Sequence, residues 1–139
     1  WPANVERIEH LLPAEHAAFY CASRFTLNVT RADMIAAGWS PSVRLFEAGA
    51  CGTPIISDRW EGIDSLFAPG DALILADTSA DVIAALALPA RAIGEAARAA
   101  VLEGHSAEAR AAQFEADLVG AITRRSNNRN NAADRRELA

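Results

Sequence analysis

The sequence predicts an α/β protein built on a parallel sheet of about four strands with helices on its faces. Three observations carry that expectation. Short β-branched or continuously apolar runs recur at residues 25–29, 53–57 and 72–75, as in strands covered on both faces. Stretches of helical periodicity lie between them. Turn and cap residues sit at the junctions: Ser40-Pro41, Gly52, Pro69-Gly70 and Thr78-x-x-Asp81. With 139 residues, 51% of them hydrophobic and 22% charged, the chain has the length and composition of one soluble globular domain with its own core.

Taken in order, residues 4–9 alternate weakly and predict the first strand. Pro13 opens a helix over 14–22, at a position where its missing N–H costs nothing. Residues 25–29, Phe-Thr-Leu-Asn-Val, make the clearest strand. Residues 31–39 connect it onward, with helical character around Met34-Ile35-Ala36. Ser40 as N-cap and Pro41 at the first helical position start the next helix, which runs to Cys51 with Gly52 just past its end. Residues 53–57 form a buried strand, 61–67 a short helix closed by Pro69-Gly70, and 72–75 a last strand. Thr78-x-x-Asp81 is a capping-box start for a helix over 82–88. After Pro89 come two Ala-rich amphipathic helices. One presents Ile93, Ala97, Ala100 and Val101, the other Phe114, Leu118 and Ile122, with a break at Gly104 and Ser106. Residues 1–123 are expected to form the domain. Residues 124–139 are a polar, Arg- and Asn-rich tail that buries little by itself and is open to two readings, a disordered extension or a docking helix.

Composition excludes several chemistries. All 13 basic side chains are arginine, because the chain has no lysine. A P-loop needs its lysine on the phosphates, and Schiff-base or pyridoxal-phosphate chemistry needs one too. A formal net charge of -5 argues against a nucleic-acid partner, which requires a basic face. No apolar run approaches the roughly 20 residues that span a bilayer. The cysteines, Cys21 and Cys51, make no C-x-x-C, so neither a zinc cluster nor a disulfide framework is expected, and a reducing, cytoplasmic setting fits. The chain opens on Trp1 without a signal-peptide pattern and reads as a piece of a longer polypeptide. Gly38-x-Ser40 has the start of a nucleophile elbow, but Pro41 follows the serine and has no N–H for an oxyanion hole. Gly49-Ala-Cys-Gly52 falls at a helix end, where a dinucleotide fingerprint does not work.

In an open α/β sheet, ligands bind beyond the carboxyl ends of the strands. The strand over 25–29 delivers Thr30 and Arg31 to that edge, and the next helix begins at Ser40-Pro41-Ser42-Val43-Arg44. A helix start offers unpaired N–H groups and about half a positive charge. Ser42 adds a hydroxyl and Arg44 a forked cation, which together suit a diphosphate. The competing reading makes Ser40 a plain cap and Arg44 a solvated charge. Glu47 is a carboxylate among apolar helix neighbours and needs a partner. Ribose hydroxyls are one; a salt bridge with Arg31 or Arg44 is the other. The loop Asp58-Arg59-Trp60-Glu61-Gly62 follows the strand over 53–57 on the same edge, where Glu61 faces a ligand or caps its helix. His10, after the first strand, either lines that edge or is a satisfied structural residue. His16 and His105 read as surface helix residues. No D-x-D pair is present to hold a metal, so none is expected; arginine and helix-end N–H groups do that charge work.

The string Ser40-Pro-Ser-Val-Arg-Leu-Phe-Glu-Ala-Gly-Ala-Cys-Gly-Thr-Pro-Ile-Ile-Ser-Asp58 resembles the donor-binding helix and following strand in the C-terminal domain of GT-B glycosyltransferases, and in particular the CgeB-type, spore-protein glycosyltransferase-like branch. Leu11-x-Pro13-x-Glu15 through Tyr20-x-Ala22-Ser23 is similar to the helix before that family's penultimate strand. The likeness spans residues 4–75. It implies a Rossmann-like half of a GT-B fold that binds a nucleotide-sugar and transfers the sugar to an acceptor. By the same resemblance Glu47 holds the donor ribose, Ser42, Val43 and Arg44 meet the diphosphate, and Glu61 and Gly62 face the cleft. There are departures. Many group 1 glycosyltransferases carry an earlier second glutamate, whose place falls on Trp39 here, and the family's basic pair for the donor phosphates would lie upstream of Trp1. The implied partner is an acceptor-binding N-terminal domain of the same polypeptide, so this chain is expected to bind without turning over. The nucleotide-sugar enters as substrate, and no cofactor is expected. The rival expectation is a non-catalytic nucleotide- or sugar-recognition module, or an envelope- or spore-associated structural protein that kept the fold.

Overall fold

The computed structural model describes residues 1–39 and 41–137, with side chains as far as residue 125. Among these residues three parallel strands make the sheet, in the order β1 (Thr26–Asn28), β2 (Ile55–Ser57), β3 (Ile74–Leu75). The ladder pairs Thr26 with Ile55, Leu27 with Ile56 and Asn28 with Ser57, then Ile56 with Ile74 and Ser57 with Leu75. Strand β2 is buried throughout, as a continuous apolar run between two neighbours requires. Strand β1 has β2 on one flank and no described strand on the other; Leu27 and Val29 are exposed there. The α/β class is the predicted one, but the strands number three where about four are predicted. Residues 4–9 form no strand and are exposed throughout. Asn4, Glu6, Arg7 and Glu9 leave them too little apolar surface to fix a register against a neighbour.

The helices are α1 (Pro13–Ala22), α2 (Ala32–Ala37), α3 (Val43–Ala50), α4 (Ser79–Ala85), α5 (Arg91–Ala100) and α6 (Ala107–Glu137). Helix α1 starts with Pro13 in its first turn, and Glu15 reaches back to accept the Leu12 N–H at 3.1 Å. Helix α3 starts later than predicted. Its N-cap is Ser42, whose carbonyl accepts the Leu45 N–H at 3.1 Å; Ser40 lies outside the described residues. The predicted helix over 61–67 shrinks to one 3-10 turn, Ile63–Ser65. Helix α4 has the predicted capping box, with the Asp81 N–H donating to Thr78 Oγ1 and the Thr78 N–H to Asp81 Oδ2. The predicted break near Gly104 is a π-helical turn, Val101–His105, and α6 continues through residue 124 to Glu137.

The chain divides into two compact units, Trp1–Leu102 and Glu103–Ala139. In the first, α1, α3 and α5 cover one face of the sheet. Tyr20, Leu45, Ile55, Phe67, Leu73, Ala97 and Val101 are buried there. Ile56, Ala76 and Ala85 form a smaller cluster with Phe25, Ile74 and Val82. Helix α5 comes so close to the turn after α3 that a Cβ on Gly94 would overlap the carbonyl oxygen of Gly52. Only hydrogen fits at 94. In the second unit, the stripe Phe114, Leu118 and Ile122 is exposed on α6. Among the described residues no helix is long and apolar enough to cross a membrane.

Candidate functional site

Strands β1 and β2 end side by side, and their last polar residues are cross-linked. Asn28 is 2% exposed and uses both ends of its amide. Its Nδ2 donates to Ser57 Oγ at 3.0 Å and to Thr30 Oγ1 at 3.4 Å, while its Oδ1 accepts from an Arg44 guanidinium N–H at 3.2 Å. One turn beyond, the Asp58 carboxylate takes two bonds from Thr30, the backbone N–H at 2.7 Å and the hydroxyl at 2.8 Å. The Ser57 hydroxyl in turn donates to the Asp58 carbonyl at 3.0 Å. Buried polar atoms are tolerable when paired in this way, and the result is a fixed polar floor at the carboxyl edge of the sheet.

Over that floor opens a cavity of about 320 Å³, lined by Asn28, Val29, Thr30, Arg31, Met34, Ser42 and Arg44. The amino end of α3 forms one wall. Ser42 makes no side-chain cap to its own helix, so its hydroxyl is not consumed there. Among the described residues neither Arg31 nor Arg44 enters an ion pair. Two guanidinium groups, a hydroxyl and the positive end of a helix dipole therefore share one small space. Arg44 also borders a neighbouring cavity of about 500 Å³ on the Tyr20, Phe25 and Leu27 side.

Glu47 follows Arg44 by three positions on α3. Its partner is neither Arg31 nor Arg44 but His16 on α1: Nδ1 of His16 lies 3.1 Å from Glu47 Oε1. The other ring nitrogen, Nε2, lies 3.2 Å from the Leu11 carbonyl oxygen. The side chains are 32% and 35% exposed. Hydrogen bonding to Glu47 holds the His16 pKa above its usual value, the Leu11 carbonyl adds to this, and partial burial opposes it. Tyr20, edge-on to His16 at 6.4 Å, has its phenol pushed up by burial first and by the Glu47 charge second, with Arg44 pulling the other way.

The loop after β2 faces elsewhere. Glu61 and Gly62 line a third cavity, of about 670 Å³, with Ile35, Arg59, Trp60 and Asp64. Trp39, at φ 38°, lays its ring against Gly62, where any Cβ would collide with it. It meets Trp60 edge-on at 6.5 Å. Trp60 is 4% exposed, and its Nε1 has no acceptor among the described residues.

The sequence matches the family described as glycosyl transferase-like over residues 1–116. The chain belongs to that family. No curated protein matches the chain. Among solved structures it is similar to sucrose-phosphate synthase from Thermosynechococcus elongatus, at 24% identity and a TM-score of 0.54. The likeness covers 74% of this chain and 27% of that one, and it is a likeness of fold.

Within this glycosyl transferase-like domain the predicted residues separate into groups. Arg31, Ser42 and Arg44 share the cavity at the sheet edge. Val43 is beside it on α3 but points outward, 68% exposed. Glu47 turns its Oε1 to α1, and Glu61 and Gly62 belong to the third cavity. His10 is exposed in the segment before α1, and Ser40 is outside the described residues. Sequence reasoning reads His16 as a surface helix residue, where it is half-buried and paired with Glu47, and passes over Asn28 and Tyr20. His16 and Tyr20 are spaced i, i+4 on α1, one face of one helix. Asn28 is an amide inside the run Phe-Thr-Leu-Asn-Val, a position where an unpaired polar group is too costly to keep. Among the described residues no three His, Cys, Asp or Glu side chains assemble into a group that could hold a metal ion.

Proposed function

We propose that this glycosyl transferase-like domain is the donor-binding half of a glycosyltransferase, which takes a nucleotide-sugar and passes the sugar to an acceptor. The observation that supports the reading is the cavity at the sheet edge, where Arg31, Arg44 and the Ser42 hydroxyl converge on the start of α3. The donor diphosphate rests against that start, on the free N–H groups beginning at Val43. The arginines neutralise the negative charge that builds on the departing nucleoside diphosphate. Arg44 is held before the reaction begins by its hydrogen bond to Asn28, so little reorganisation opposes it. No metal enters this mechanism. Glu47, further along α3, accepts hydrogen bonds from the ribose hydroxyls. Glu61 and Gly62 contribute to donor binding from the cavity that they line after β2, and His10 and Ser40 belong to the same proposed donor-binding set.

The wider reading belongs to the same proposal. Residues 1–123 form the donor domain of a CgeB-type glycosyltransferase of the cytoplasm, and the acceptor is bound by an N-terminal domain of the same polypeptide. The test is titration of the chain with UDP, GDP and ADP and their sugars, by calorimetry or by chemical-shift perturbation. At least one nucleoside diphosphate is expected to bind, and Arg44→Ala to weaken it about tenfold, the worth of one charge-assisted hydrogen bond. Binding of none of them, or an Arg44→Ala variant as tight as the parent, would overturn the reading.

A further inference from the structure

His16 sits outside the cavity at the sheet edge, yet its two ring nitrogens are both committed. Nδ1 faces a carboxylate oxygen, Glu47 Oε1, at 3.1 Å, and Nε2 faces a carbonyl oxygen, that of Leu11, at 3.2 Å. Both partners can only accept. A neutral imidazole carries one N–H, so it satisfies one of the two and leaves the other facing a lone pair. Only the imidazolium donates to both. We propose that His16, in its imidazolium form, is the positioning residue that aims Glu47 at a donor ribose, holding Oε1 so that Oε2 is presented to the ribose hydroxyls. This rests on the ribose role proposed for Glu47 above.

The clamp joins three pieces of chain. It ties the segment before α1, through Leu11, to α1 itself and to α3. A free glutamate side chain on a helix surface samples several rotamers; a bidirectional imidazolium removes that freedom on one side. The charged groups acting on His16 are Glu47 from α3 and Glu15 from its own helix. The preceding segment contributes the Leu11 carbonyl, and Tyr20 lies edge-on. The net effect of these groups is to raise the His16 pKa, so the charged form persists to a higher pH than in an unperturbed histidine. Because the folded pKa is raised, the clamp is complete at low pH and is lost as pH rises through the folded value. Ribose recognition follows it, and by reciprocity nucleotide binding raises the His16 pKa further.

The experiment compares the best-binding of UDP, GDP and ADP with its 2′-deoxy analogue, on the 139-residue chain. The ratio of the two affinities reports the ribose contact, and it cancels the titration of the terminal phosphate near pH 6. In the wild-type chain the ribose form is expected to win by about tenfold at pH 6 and by at least threefold less at about pH 9, with the midpoint at the His16 pKa read from its imidazole NMR shifts. His16→Gln is expected to show the smaller ratio at every pH, and Glu47→Gln a ratio near one. If Glu47→Gln loses the discrimination while the wild type keeps it unchanged across pH, or His16→Gln keeps it, the positioning role is wrong and the ribose role survives. If no nucleotide binds, or Glu47→Gln discriminates as the parent does, the ribose role is wrong and the positioning role falls with it.

Discussion

An amide buried in a strand must use both its donor and its acceptor, and Asn28 does. It receives the Arg44 guanidinium on one side and gives to Ser57 and Thr30 on the other. Asn28→Ala therefore leaves Ser57 and Arg44 short of a partner at once. The expected cost is about 1–3 kcal/mol of stability, read from urea unfolding, together with weaker nucleotide binding through a loosened Arg44. Leu27→Ala, on the exposed side of the same strand, is the control and changes unfolding by less than about 0.5 kcal/mol. At this scale the sequence carries half of the site. Ser42 and Arg44 are legible because a helix start is a local event, marked by Pro41 and the strand before it. Glu47's need for a partner is legible too, since a carboxylate among Leu45, Phe46 and Ala48 cannot stand alone. That the partner is His16 is not, because 31 positions separate them and only the packing of α1 on α3 brings them together.

Helix α4 shows how far local rules reach. Thr78 and Asp81 satisfy each other and the first free N–H groups of the helix. The Thr78 hydroxyl, then its backbone N–H, holds the Asp81 carboxyl below its ordinary value of 3.8. With the folded pKa depressed, this contribution is full above the ordinary value and is lost as pH falls through the folded one. Thr78→Ala is expected to cost about 1 kcal/mol at neutral pH, and thermal unfolding near pH 2.5 should find parent and variant closer together. The Thr78 cap and the Ala-rich helices are readable from a few neighbouring residues, whereas the cap of α3 falls on Ser42, two positions past the predicted Ser40. Strand extent was not. The runs at 25–29, 53–57 and 72–75 shorten to β1, β2 and β3, because a ladder is only as long as its shorter member. Residues 4–9 have the alternation but no partner strand among the described residues. The 61–67 helix fails after one turn, since Trp60, Ile63 and Phe67 are drawn into the core and the loop follows them. Helix α6 runs to Glu137, past the amphipathic segment that periodicity predicts.

The chain has no lysine, and all 13 of its strongly basic side chains are guanidinium groups. An arginine-directed dicarbonyl such as phenylglyoxal is expected to abolish nucleotide binding, with bound nucleoside diphosphate shielding Arg44 and Arg31, as mapped by peptide mass spectrometry. An amine-directed acylating reagent finds no lysine in these residues and is expected to leave binding intact. Shielding of neither arginine would place the anion elsewhere.

Among the described residues the outer flank of β1 has no neighbouring strand. Backbone N–H and C=O groups along such a border accept any extended chain that comes alongside, whatever its side chains. Selectivity at that rim therefore falls to geometry.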